Sequence, residues 1–177
     1  MKSPTQFIVR PNKDRRYDNI KKIGSVDFIM SASEEDFKTS NREGIVVETP
    51  LRYDGPIKRG DKLLVHHNVF KFFNNIKGLR KSGKSFFSED KFLIDDEQWY
   101  MYNNGEQWFP KDGVCFVRPV KNKFGYKEDL IGEVVYSNRY KKGLKVLFEP
   151  ECEYEFDVDG ETIYRMFDKN IVGCEES

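Results

Sequence analysis

Gly44-Ile45-Val46-Val47-Glu48-Thr49 returns 88 residues later as Gly132-Glu133-Val134-Val135-Tyr136-Ser137. Both are short and rich in β-branched residues, which reads as a strand, while Gly60-Asp61 and Gly143-Leu144, each between basic residues and an apolar run, read as turns leading into strands. Upstream, Phe7-Ile8-Val9-Arg10-Pro11 recurs as Cys115-Phe116-Val117-Arg118-Pro119, at an offset of 108. Downstream, Lys58-Arg59-Gly60-Asp61-Lys62-Leu63-Leu64-Val65 recurs as Lys141-Lys142-Gly143-Leu144-Lys145-Val146-Leu147-Phe148, at an offset of 83. A fourth block, Phe92-Leu93-Ile94-Asp95-Asp96-Glu97-Gln98-Trp99-Tyr100, aligns with Phe156-Asp157-Val158-Asp159-Gly160-Glu161-Thr162-Ile163-Tyr164, at an offset of 64.

One generic strand match means little, but four in the same order indicate an internal repeat. The falling offsets mean that the second half has lost about 20 residues between its first two blocks and 19 between its last two. No segment carries a long 3.6-residue stripe, although Ser33-Glu34-Glu35-Asp36-Phe37 could open one helical turn. Asp-Gly between two β-runs is a hairpin signal, so Asp159-Gly160, and by analogy Asp95-Asp96, are expected to turn the chain. The expected fold is all-β, with two small β-barrels in tandem over residues 1–110 and 111–177, the first carrying long loops at 12–43 and 66–91.

Composition agrees. Aromatics reach 15%, too many for a disordered chain and suited to small cores built on bulky rings. The formal net charge is zero, so no global field draws the chain to nucleic acid or to a membrane surface. No run approaches the ~18 apolar residues of a membrane span, and the N-terminus lacks the apolar core of a secretory signal. Three cysteines without CxxC spacing argue against a disulfide framework and for a reducing compartment.

The loops carry the functional candidates. In the first, Ile23, Val26, Phe28, Ile29 and Met30 form an apolar centre within a polar arm. Such a segment either folds on a partner or is an edge or core strand of the barrel. The second loop interleaves six basic residues with five phenylalanines; Phe72, Phe73, Arg80, Lys81 and Lys84 are its candidate contacts. It reads either as a solvated hairpin with anchored aromatic ends or as a surface for single-stranded nucleic acid. Gly78 to Ser85 formally fits GxxxxGKS, but no strand-loop-helix context surrounds it. The only histidines, His66 and His67, are adjacent and would point to opposite strand faces, which does not suit a shared metal. No catalytic set, metal site or cofactor site is legible, and no enzyme activity is expected.

The block order resembles the GroES-type co-chaperonins, including divergent bacteriophage-encoded ones. Ile8-Val9-Arg10-Pro11 stands at the opening strand, residues 12–43 at the mobile loop, Ile57 to Leu64 at the Gly-Asp turn and strand, residues 66–91 at the roof hairpin, and Gly160 to Val172 at the closing segment. The second half keeps only Val120 to Leu130 where a mobile loop would lie. The resemblance implies a homo-oligomeric ring that caps a chaperonin through weak, multivalent loop contacts. A rival reading is a virion ring, cement or adaptor protein whose loops reach neighbouring subunits. The setting is then the host cytoplasm or the virion, with no nucleic-acid or membrane partner.

Overall fold

Val9 pairs with Val46, Arg10 with Ile45 and Pro11 with Gly44; in the second half Val117 pairs with Val134, Arg118 with Glu133 and Pro119 with Gly132. The offsets of 108 and 88 read from the sequence are therefore a shared strand register. A computed structural model describes residues 2–17, 20–23, 26–29, 39–121, 125 and 127–175, with only the backbone of 20–23, 26–29 and 127. The chain divides into two units, Met1–Gln107 and Trp108–Ser177. The boundary falls three residues before the expected one, because Trp108 belongs to the second unit, where its Nε1–H donates to Asp159 at 3.0 Å.

In the first unit β1 is Phe7–Pro11, β2 Ile20–Ile23, β3 Val26–Ile29, β4 Glu43–Glu48, β5 Lys62–Val65, β6 Phe72–Asn74, β7 Arg80–Ser82, β8 Phe86–Ser88, β9 Lys91–Ile94 and β10 Trp99–Asn103. In the second, β11 is Trp108–Pro110, β12 Val114–Lys121, β13 Lys127–Ser137, β14 Lys145–Phe148, β15 Tyr154–Val158, β16 Glu161–Phe167 and β17 Ile171–Cys174. The main sheet of the first unit runs β10-β5-β4-β1-β9-β8; that of the second runs β17-β14-β13-β12-β16-β15. The order is the same strand for strand.

The likeness extends to irregularities. The register slips between Ile8 and Val9, and at the equivalent step between Phe116 and Val117. Gly60 and Gly143 both turn at positive φ, and each donates its N–H to the valine at the same place on the neighbouring strand, Val46 or Val134. Phe7 to Val9 and Val114 to Val117 are buried at every position, which suits the central strands they form. The cores coincide as well: Phe7, Val9, Val46, Leu63, Val65, Phe92, Ile94 and Trp99 stand where the second unit has Cys115, Val117, Val134, Val146, Phe148, Tyr164, Met166 and Ile171. The first core adds Ile57, Val69 and Phe70.

Two expectations are corrected. Neither main sheet closes into a barrel: among the described residues no ladder joins β8 to β10 or β15 to β17. Closure needs the two edges to meet with a consistent tilt and stagger, and these edges share no register. The fourth repeat block is also misaligned. β9 pairs with β1 as β16, not β15, pairs with β12, so Phe92 corresponds to Tyr164 at an offset of 72. A 3-10 turn follows in both units, at Asp96–Gln98 and Asp168–Asn170. In each, the third residue's side-chain oxygen accepts the N–H of the residue before the turn: Gln98 from Asp95 at 3.0 Å, Asn170 from Phe167 at 3.1 Å. Asp95-Asp96 thus enters a 3-10 turn, while Asp159-Gly160 is the hairpin turn its sequence suggests. The helical turn expected at Ser33 lies outside the described residues.

Candidate functional site

Among the described residues β2 and β3 pair only with each other, in register Ile20 with Ile29, Lys21 with Phe28, Lys22 with Asp27 and Ile23 with Val26. Ile23, Val26, Phe28 and Ile29 therefore lie on a two-stranded hairpin that, among the described residues, has no ladder to the main sheet. Met30 lies outside the described residues.

The root of this arm is fastened where its two limbs pass each other. Tyr17 bridges Ser40, and the Asn41 N–H donates to the Arg16 carbonyl at 2.9 Å. The Asn41 side-chain amide donates to the carbonyls of Asn12 and Arg15, at 2.8 and 2.7 Å, and the Asn12 amide donates to Glu43. The half-buried Asn12 and Arg16 and the exposed Arg15 thereby gain donors for their backbone carbonyls.

The second loop is a hairpin, β6–β7, with Phe72 opposite Ser82, Phe73 opposite Lys81 and Asn74 opposite Arg80. Its five-residue tip is held by the Asn75 side-chain oxygen, which accepts the N–H groups of Lys77 and Leu79. The Gly78-to-Ser85 stretch is a turn, a strand and a second turn leading into β8, with no helix to aim at a phosphate.

The two arms meet at Phe72. Its N–H donates to the Tyr17 hydroxyl at 2.8 Å, and the two rings stack at 6.2 Å. The Arg16 and Arg80 guanidiniums lie 4.1 and 3.9 Å from the Phe72 centroid. Arg16 also lies over Phe86 and Phe92, and donates to Ser82 Oγ at 2.9 Å. Cation–π pairs of this kind contribute about 0.5–2 kcal/mol each. Burial pushes the Arg16 pKa down, while Asp90 acts in the opposite direction. Of the five candidates in this loop, Phe72 and Arg80 are thus drawn into the brace between the arms. Phe73, Lys81 and Lys84 are exposed, and Phe73 and Lys84 border an open cleft of about 540 Å³.

No protein-family model matches the chain, and no curated protein matches it. Arg16 and Tyr17 were not singled out in the sequence, because a basic-aromatic pair in a polar arm carries no local signature. His66 and His67 differ from expectation: β5 ends at Val65, so both lie on a turn and their rings approach to 4.2 Å instead of pointing apart. Burial first, then His66, Arg42 and Lys71, lower the His67 pKa to about 4, which keeps it neutral near pH 7. Among the described residues, no group of three or more His, Cys, Asp or Glu is placed to hold a metal ion. Cys115, Cys152 and Cys174 are free thiols; burial pushes that of Cys115 up to about 12. Among the described residues, no helix is long and apolar enough to cross a membrane.

Proposed function

We propose that the chain is a non-enzymatic assembly protein. In this reading a duplicated β-sheet scaffold holds out the β2–β3 hairpin as a docking arm for neighbouring subunits of a larger particle. The observation that supports it is the separation of β2–β3 from the main sheet, combined with a root fixed by Asn12, Asn41, Arg16 and Tyr17. A rigid root limits the ordering cost of docking, so more of the apolar contact energy reaches the complex. Each apolar side chain buried by a partner would contribute ~1.5–3 kcal/mol before ordering costs.

Co-chaperonin capping is the second reading. It draws on the shared order of opening strand, long arm, glycine-led strand and Gly-Asp turn. Open sheets in place of barrels weigh against it. The test is a full-length chain with Val26, Phe28 and Ile29 all changed to Asp, compared with wild type for co-sedimentation with particle shells and with purified chaperonin. The expected result is shell association lost in the variant, with the unfolding curve unchanged. Arm-dependent binding to chaperonin alone would replace this reading with the second, and undiminished binding by the variant would refute both.

A further inference from the structure

In the first unit, Phe70 fills the end of the core. Its ring is fully buried, lies edge-on to Phe92 at 4.9 Å, and packs where a Cβ on Gly44 would meet it at 3.3 Å. The second unit has the same walls, and among the described residues no buried ring stands where Phe70 does. Val117, Phe148 and Tyr164, which stand for Val9, Val65 and Phe92, line an open hollow of about 480 Å³ together with Pro119, Leu130 and Ile131. Its rim is acidic, formed by Glu128, Asp129, Glu151 and Glu153. The rim belongs to a longer run: residues 149–161 hold seven carboxylates and no Lys or Arg.

The β6–β7 hairpin of the first unit is the converse surface. Residues 71–88 hold five Lys or Arg and no Asp or Glu. The face away from the Phe72 brace and the tip present Phe73, Ile76 and Leu79 at 48%, 106% and 59% exposure, beside Lys77 and Lys81. The zero net charge of the chain conceals this division. Residues 1–107 carry 19 basic and 16 acidic groups, or +3; residues 108–177 carry 11 and 14, or −3.

We propose that the hollow of the second unit receives the β6–β7 hairpin of another molecule of the same chain. Ile76 and Leu79 would enter between Val117, Phe148 and Tyr164, and Lys77 and Lys81 would face the carboxylate rim. Two different surfaces meet in this contact, so it is head-to-tail, and repeated copies close into a ring or extend as a filament. Complementary charge sets the register and makes the association sensitive to salt. The contact uses neither β2 nor β3, so it stands apart from the docking role of the first arm.

Sedimentation velocity of the full chain tests it, with Lys77→Glu/Lys81→Glu as the hairpin variant and Glu151→Lys/Glu153→Lys as the rim variant. All four side chains are exposed, so both variants are expected to fold as wild type. Wild type should self-associate with rising concentration and dissociate in high salt. Each variant should weaken the association by roughly tenfold or more. An equimolar mixture of the two should recover it, because acidic hairpins then find basic rims and the native pairing persists in the other direction. A monomeric wild type would overturn the proposal and leave the hollow to a foreign basic segment. Variants that associate like wild type, or a mixture that does not recover, would overturn it equally.

Discussion

Phe70→Ala should make the first unit unfold far more readily, because the ring closes the end of its core. The ring is fully buried and touches the walls formed by Phe92 and by Val9 beside Gly44. Truncating a phenylalanine in such a place costs about 3–5 kcal/mol, through lost transfer energy and the cavity left behind. The edge-to-face contact with Phe92 is part of that sum, at about 0.5–1.5 kcal/mol. Against a domain stability of about 5–15 kcal/mol, the loss is a large fraction. With a urea slope of about 1.5 kcal/mol per molar, the midpoint should fall by about 2–3 M. The two tryptophans make the assay specific to one unit. Trp99 packs in the first core, 6.1 Å from Phe7, so its fluorescence in a Trp108→Phe background reports that unit alone. A midpoint shift under about 0.5 M at unchanged slope would show that Phe70 does not plug this core, and the contrast with the second unit would fail with it.

Two further outcomes follow from the geometry. His67 has its pKa lowered to about 4, chiefly by burial, so the unfolded chain takes up a proton first on acidification. Stability should hold above pH 6.5 and be lost between there and pH 4, by about 1–2 kcal/mol after solvent screening; His67→Gln should flatten urea midpoints over that window, and an equally steep loss in the variant would refute the assignment. The paired glycines should respond unequally. A Cβ at Gly132 would lie 2.5 Å from Val117 Cγ2, whereas at Gly44 the nearest atoms are at 3.2 Å. Gly132→Ala should cost about 1–3 kcal/mol by overpacking, while Gly44→Ala should stay near neutral; equal thermal shifts for the two would contradict the comparison.

Three of the four repeat blocks were legible because strand pairing is a local matter of register. Alternation, the glycine turn and the Arg-Pro end each constrain a few neighbouring residues, and both halves obey the same constraints. The fourth block slipped by eight residues because the patterns around Asp95-Asp96 and Asp159-Gly160 look alike in one dimension. In space the first pair enters a 3-10 turn and the second turns a hairpin. The true equivalence rests on strand pairing, Phe92 with Val9 and Tyr164 with Val117, and Gln98 and Asn170 then accept equivalent backbone N–H groups.

The sequence by itself determined an all-β chain written twice, with long arms only in the first half, because strand-forming and turn-forming preferences act within a few residues. Only the tertiary structure decided that the sheets stay open among the described residues, that Arg16 and Tyr17 of one arm brace Phe72 of the other, and that Phe70 fills the end of the first core where the described residues of the second line a hollow. Those outcomes depend on which side chains, dozens of residues apart, arrive at the same few cubic ångströms. Packing of that kind leaves no periodic trace along the chain.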